Sequence, residues 1–94
     1  MKIVWAQEAS EDFEEAIAFI AADNRAAATK LAMRVLELVE RLASEPILGP
    51  AFTLRTGEVV RGWPVRPLRI YYTRDENELR VVRVYHQSRE QITR

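Results

Sequence analysis

Between positions 28 and 42 the apolar residues Ala28, Leu31, Ala32, Val35, Leu38, Val39 and Leu42 follow the spacing i, i+3, i+4, i+7, i+10, i+11, i+14 without a miss. Only a helix puts all seven on one side, because successive side chains of a strand alternate between faces. The spacing predicts a helix over about 26–43. Ser44-Glu45-Pro46 and Gly49-Pro50 then break it and supply a loop. Beyond the loop the pattern changes character. Residues 52–55, 58–61, 68–73 and 79–85 are rich in β-branched and aromatic side chains and read as strands, with Thr56-Gly57 and Asp75-Glu76-Asn77 as turns. Gly62-Trp63-Pro64 and Pro67 interrupt this stretch, and since proline donates nothing to a sheet ladder, a bend or an edge is expected there.

Upstream, Lys2-Ile3-Val4-Trp5 reads as a short strand. A first helix is predicted over 7–22, where Ala9, Phe13, Ala16, Ile17 and Ile20 share a face and Glu8, Glu11 and Asp12 favour the positive end of the helix dipole. Asp23-Asn24 ends it, with Asn24 expected in the left-handed conformation that helix exits often use. Two helices joined so closely form an antiparallel hairpin whose apolar faces need a flat surface to cover. The fold class is therefore α+β: an N-terminal strand, an antiparallel helical hairpin, then a three- to four-stranded antiparallel sheet, in a single domain spanning 1–94.

Ninety-four residues leave no room for separate cofactor and substrate domains. The absence of cysteine removes disulfides, thiolate metal sites and thiol nucleophiles, and makes the cytoplasm the expected compartment. Acidic residues follow the first strand at once, so no signal peptide is read, and no apolar run approaches the roughly 18 residues of a membrane span. The formal charge is zero, but unevenly spread. Residues 1–47 hold five basic against nine acidic side chains, and residues 48–94 hold nine arginines against five acids. The halves carry about −4 and +4.

His86, the only histidine, lies at the end of the last predicted strand. It reads either as a proton donor and acceptor or as a strand-end histidine bonded to a neighbouring loop. Arg61, Arg66, Arg69, Arg74, Arg80, Arg83 and Arg89 interleave with Trp63, Tyr71, Tyr72 and Tyr85. Their forked guanidinium groups suit phosphate or carboxylate recognition, or simply a solvated sheet face. Alternation is expected to place Arg80 and Arg83 on opposite faces. The acidic run Glu8, Glu11, Asp12, Glu14 and Glu15 reads as a solvated helix face rather than a metal cluster. Three glycines, at 49, 57 and 62, cannot form a phosphate cradle.

In order along the chain, several segments resemble the RelE/ParE superfamily of bacterial toxins. Trp5-Ala6-Gln7-Glu8-Ala9 with Asp12-Phe13 and Ile17-Ala18-Phe19-Ile20 is similar to that family's opening, and 42–49 to its "L-x-x-x-P-x-x-G" stretch. Glu58-Val59-Val60, Arg69-Ile70-Tyr71-Tyr72 and residues 82–90, through Val84-Tyr85-His86-Gln87-Ser88-Arg89, resemble its strands.

This resemblance implies the toxin of a type II toxin–antitoxin pair, such as those that stabilise plasmids, held in a hetero-oligomer by a cognate antitoxin and needing neither cofactor nor metal. ParE-like members poison DNA gyrase, while RelE-like members cut messenger RNA on the ribosome. If the chain were such an endoribonuclease, Arg69, His86 and Arg89 would carry the chemistry, and ribosome-bound message would be its only nucleic-acid contact. Zero net charge, the His-x-x-Arg ending and the hairpin length point to the ParE branch, since docking on ribosomal RNA rests on excess positive charge. Residues 87–94 then become candidate gyrase contacts, with Arg83, His86, Arg89 and Arg94 named among them. Met33 and Leu36, off the main stripe of the second helix, and Trp63 and Tyr72 on the sheet are candidate antitoxin contacts. A third reading is an inactive member that binds its antitoxin alone.

Overall fold

The computed structural model describes residues 1–87 and 92–93. Strand β1 (Lys2–Trp5) leads into α1 (Gln7–Asp23) and α2 (Arg25–Ser44), followed by β2 (Ala51–Leu54), β3 (Val59–Val65), β4 (Leu68–Arg74), β5 (Glu78–His86) and β6 (Ile92–Thr93). The strands form one sheet in the order β1-β5-β4-β3-β2-β6. All neighbours are antiparallel except β1, which lies parallel to β5. The α+β class and the element order are those expected from the sequence. The sheet gains on expectation in two ways: β1 joins it as a parallel edge, and the two-residue β6 extends its other edge.

A single residue makes the helical joint. Asn24 is extended (φ −153°), its N–H donates to the Ile20 carbonyl at the end of α1, and its Oδ1 accepts from Ala27 N–H at the start of α2. The left-handed exit expected at Asn24 is therefore not used. A residue that must also be the N-cap of the next helix needs the β-region backbone that caps adopt.

The stripe of α2 does what its spacing requires. Leu31, Val35, Leu38, Val39 and Leu42 are buried against Val65, Leu68, Ile70, Tyr72, Leu79, Val81 and Val84 of the sheet. Each fully buried aliphatic side chain is worth about 1.5–3 kcal/mol, so this face holds the fold together. In α1 only Ala9 is fully buried; Phe13, Ala16, Ile17 and Ile20 pack on the same core but stay partly open. The loop between α2 and β2 is pinned from the sheet by three side chains. Gly49 N–H donates to the Tyr72 hydroxyl at 2.8 Å, Arg61 Nη1 donates to the Gly49 carbonyl at 3.2 Å, and Arg74 Nη1 donates to the Glu45 carbonyl at 2.7 Å.

Gly62, Trp63 and Pro64 do not break the sheet; they lie inside β3, paired with Tyr71, Ile70 and Arg69 of β4. Gly62 N–H points away from β4, to the Pro50 carbonyl, and by alternation Pro64 faces the same way. β2 begins at Ala51, opposite Arg61, so it has no residue there to receive an N–H. Pro64 thus loses no ladder bond.

A bulge changes the faces of β5. Tyr71 pairs with Arg83 and Tyr72 with Val81, leaving Val82 extra. Leu79 and Val81 before the bulge, and Val84 after it, consequently all reach the helix-side core. Arg80, opposite Thr73, and Arg83, opposite Tyr71, share the other face. The opposite placement expected from odd and even numbering is overturned by that one inserted residue.

Candidate macromolecule-binding face

The side of the sheet away from the helices carries its own small core. Leu54, Val60, Tyr71 and Val82 are buried there, with Phe52 and Tyr85 packed on them. Tyr71 sits edge-on between Phe52 and Tyr85, with ring centroids 5.5 and 5.6 Å away. Two arginines flank this aromatic patch. The Arg69 guanidinium lies 5.2 Å from the Phe52 ring centre, and that of Arg83 4.7 Å from Tyr85. Such stacking keeps a planar cation partly desolvated over an aromatic face. Burial pushes the Tyr85 phenol above its ordinary value, with nearby Arg83 and Arg55 pulling the other way, so it is a neutral hydroxyl at physiological pH.

Asp12 organises the end of this face from α1. Its carboxylate receives Arg83 Nε at 2.8 Å, Arg83 Nη2 at 2.9 Å and the Val84 backbone N–H at 3.1 Å, while Glu8 takes Arg83 Nη1 at 3.1 Å. The paired fork raises the pKa of Arg83 further, chiefly through its hydrogen bonds to Asp12. Physically this clasp ties the first turns of α1 to the edge of β5 just past the end of β1. The acidic run thus splits by function: Glu8, Glu11, Glu14 and Glu15 are exposed, whereas Asp12 is half-buried and bonded. Sequence reasoning missed Asp12 because its partners lie 71 and 72 residues away, beyond any local spacing.

The remaining candidates are dispersed. Arg61 and Arg74 hold the loop after α2, and Arg80 pairs with Glu78 at 3.1 Å. The arginines therefore do not form one open array. Arg69 stands opposite Tyr85 on the helix-free face, while His86 stands opposite Leu68, a residue of the helix-side core. Alternation thus directs Arg69 and His86 to opposite faces. Arg89 and Arg94 lie outside the described residues. Met33 and Leu36 are exposed, at 56% and 49%, on the outer side of α2, and Trp63 is half-buried. Tyr72 is fully buried with its hydroxyl bonded to Gly49, so it is a core residue and not a surface contact.

A shallow groove of about 220 Å³ lies between α2 and β3, below the roughly 300–1,000 Å³ usual for ligand pockets. Among the described residues no group of His, Asp and Glu side chains could hold a metal ion, and no helix is long and apolar enough to cross a membrane.

A helical hairpin on one side of a six-stranded mixed sheet, with an aromatic patch flanked by arginines on the other, defines the class of fold. The same architecture occurs in a solved structure described as the chromosomal ParDE TA system from P. aeruginosa: 20% identity, TM-score 0.69, with 92% of this chain and 95% of that chain covered. Residues 3–91 match the family model for the ParE toxin of type II toxin–antitoxin systems, parDE, and the chain belongs to that family. No match was found among curated proteins.

Proposed function

We propose that this chain poisons DNA gyrase in the bacterial cytoplasm and is held inactive by a cognate antitoxin. Family membership supports a toxin of this type. The observation that carries the choice of target is the placement of Arg69 and His86 on opposite faces of the sheet. Cleavage beside a 2′-hydroxyl needs a proton-transfer group and a phosphate-stabilising cation on the same scissile group. These two cannot share one. Arg83, the other cation near the strand end, is engaged by Asp12 and Glu8, which favours a positioning role over docking on phosphate. The proposed gyrase contacts lie along the segment from His86 onward, with Arg89 and Arg94 included.

A supercoiling assay with purified gyrase and plasmid DNA tests the proposal. Accumulation of cleaved or unsupercoiled plasmid is the expected result, and Arg69→Ala, checked for folding, should retain it. Unimpaired gyrase together with codon-dependent cutting of ribosome-bound message, abolished by Arg69→Ala, would establish the ribonuclease instead. Harmless overexpression without the antitoxin would identify an inactive member.

A further inference from the structure

The outer face of α2 is complementary in charge to its own reverse. Residues 26, 30, 33, 37, 40 and 44 are all exposed and follow one another at alternating steps of four and three, which places them in a single stripe turned away from the buried side of the helix. Those steps read the same from either end, and their midpoint falls at position 35. Lys30 and, beside the stripe, Arg34 lie before the midpoint; Glu37 and Glu40 lie beyond it. None of the four is ion-paired to another described residue. Lys30 and Glu40 cannot meet within one helix, because ten residues separate them by about 15 Å along its axis. Between these charges stand Met33 and Leu36, 56% and 49% exposed.

We propose that a second copy of this chain packs on this face, α2 against α2, antiparallel about a two-fold axis near position 35. Lys30 of each copy then faces Glu40 of the other, Ala26 faces Ser44, Arg34 comes beside Glu37, and Met33 and Leu36 of both copies meet near the axis. A parallel pair would set Lys30 against Lys30 and Glu40 against Glu40, so the charges choose the direction. They also choose the occupant. A phosphate backbone, or a peptide carrying one sign of charge, is repelled at one end of the stripe, whereas the reversed stripe is attracted at both. The stripe is about 27 Å long, which makes a small interface and a dissociation constant on the order of 1–100 μM. This pairing needs neither the gyrase nor the antitoxin reading.

Analytical ultracentrifugation of the isolated 94-residue chain, from about 1 μM to about 1 mM, tests it with the wild type, Lys30→Glu, Glu40→Lys, Lys30→Glu/Glu40→Lys and Lys2→Glu. The wild type should pass reversibly from monomer to dimer over this range. Each single reversal strikes both symmetric contacts and should weaken the dimer by roughly 10-fold, with the gap narrowing at high salt. The double variant exchanges the two signs and should return to within about threefold of the wild type, a recovery that a damaged fold cannot produce. Lys2→Glu makes the same reversal in β1 and should leave the dimer within about twofold of the wild type. A dimer that the single reversals leave unchanged, or that the exchange does not restore, would overturn the proposal. A chain still monomeric at about 1 mM would overturn it too, and a loss of antitoxin affinity in Met33→Lys/Leu36→Lys would then give the face to that partner.

Discussion

Asp12 accepts three hydrogen bonds through two oxygens, and two of them come from a guanidinium whose side chain is 26% exposed. Asp12→Ala leaves Arg83 and the Val84 N–H without that acceptor, which costs about 1–3 kcal/mol. For a domain of this size the melting temperature should fall by about 4–8 °C per kcal/mol, with Asp12→Asn in between. Gly49 is equally constrained, by space. A Cβ there would lie 2.0 Å from the Gly62 carbonyl oxygen, and backbone on both sides must move to admit it. Gly49→Ala should therefore cost about 3 kcal/mol, at the upper end for overpacking, seen as a lower midpoint in urea. Tyr85 gives a pH signature. Its pKa is raised in the folded chain by burial, so the unfolded chain loses this proton first. The contribution is complete below about pH 10 and is lost as pH rises beyond it. Tyr85→Phe should flatten the decline of melting temperature above that pH. Little of this was legible at the level of single residues. Asp12 looked like one solvated carboxylate among five, Tyr72 like a surface aromatic, and Gly49 like a helix breaker in a loop, because each is defined by a contact far away in sequence.

Elements were far more legible, since each is set by local spacing. The α2 stripe forecast all the buried residues of the helix but Ala43, with only Ala32 left partly open, because a helix's faces are fixed by periodicity alone. Strands read less well where one residue changes the count. Val82 shifts every later side chain of β5 to the other face, and nothing in Leu79-Arg80-Val81-Val82-Arg83 marks it. The prolines are legible in outline: Pro67 lies in the turn between β3 and β4, and Pro64 lies inside β3 on the side that β2 does not reach. Pro64 is excluded from a ladder only where a neighbour needs its N–H, and the short β2 removes that need. The helical joint makes the element-scale prediction. Because Asn24 serves as cap for both helices, Asn24→Ala should cost about 1 kcal/mol in thermal denaturation, Asn24→Asp should be nearly neutral, and Asn24→Gly should lie close to wild type. Equal melting temperatures for all four chains would show that packing alone fixes the hairpin.

At the scale of the whole molecule the sequence promised a strong charge separation, and the fold spends part of it internally. The acidic α1 and the arginine-bearing β5 meet at Asp12, Glu8 and Arg83. Large apolar side chains also stay uncovered: Phe19 is 70% exposed, and Met33, Leu36, Leu48 and Val59 are about half exposed or more. A 94-residue domain has a small stability margin, and covering such surface adds to it only when a partner binds the folded state. The antitoxin should therefore raise the apparent stability of the chain by mass action, by about 2.7 kcal/mol at a free concentration one hundred times its dissociation constant. In thermal melts this is a rise of roughly 10–20 °C that grows with the logarithm of antitoxin concentration. Salt sharpens the test, because apolar burial is insensitive to screening while contacts between charges are not. Most of the rise should survive high salt. A rise abolished by salt would mean that charge, not this exposed apolar surface, holds the complex.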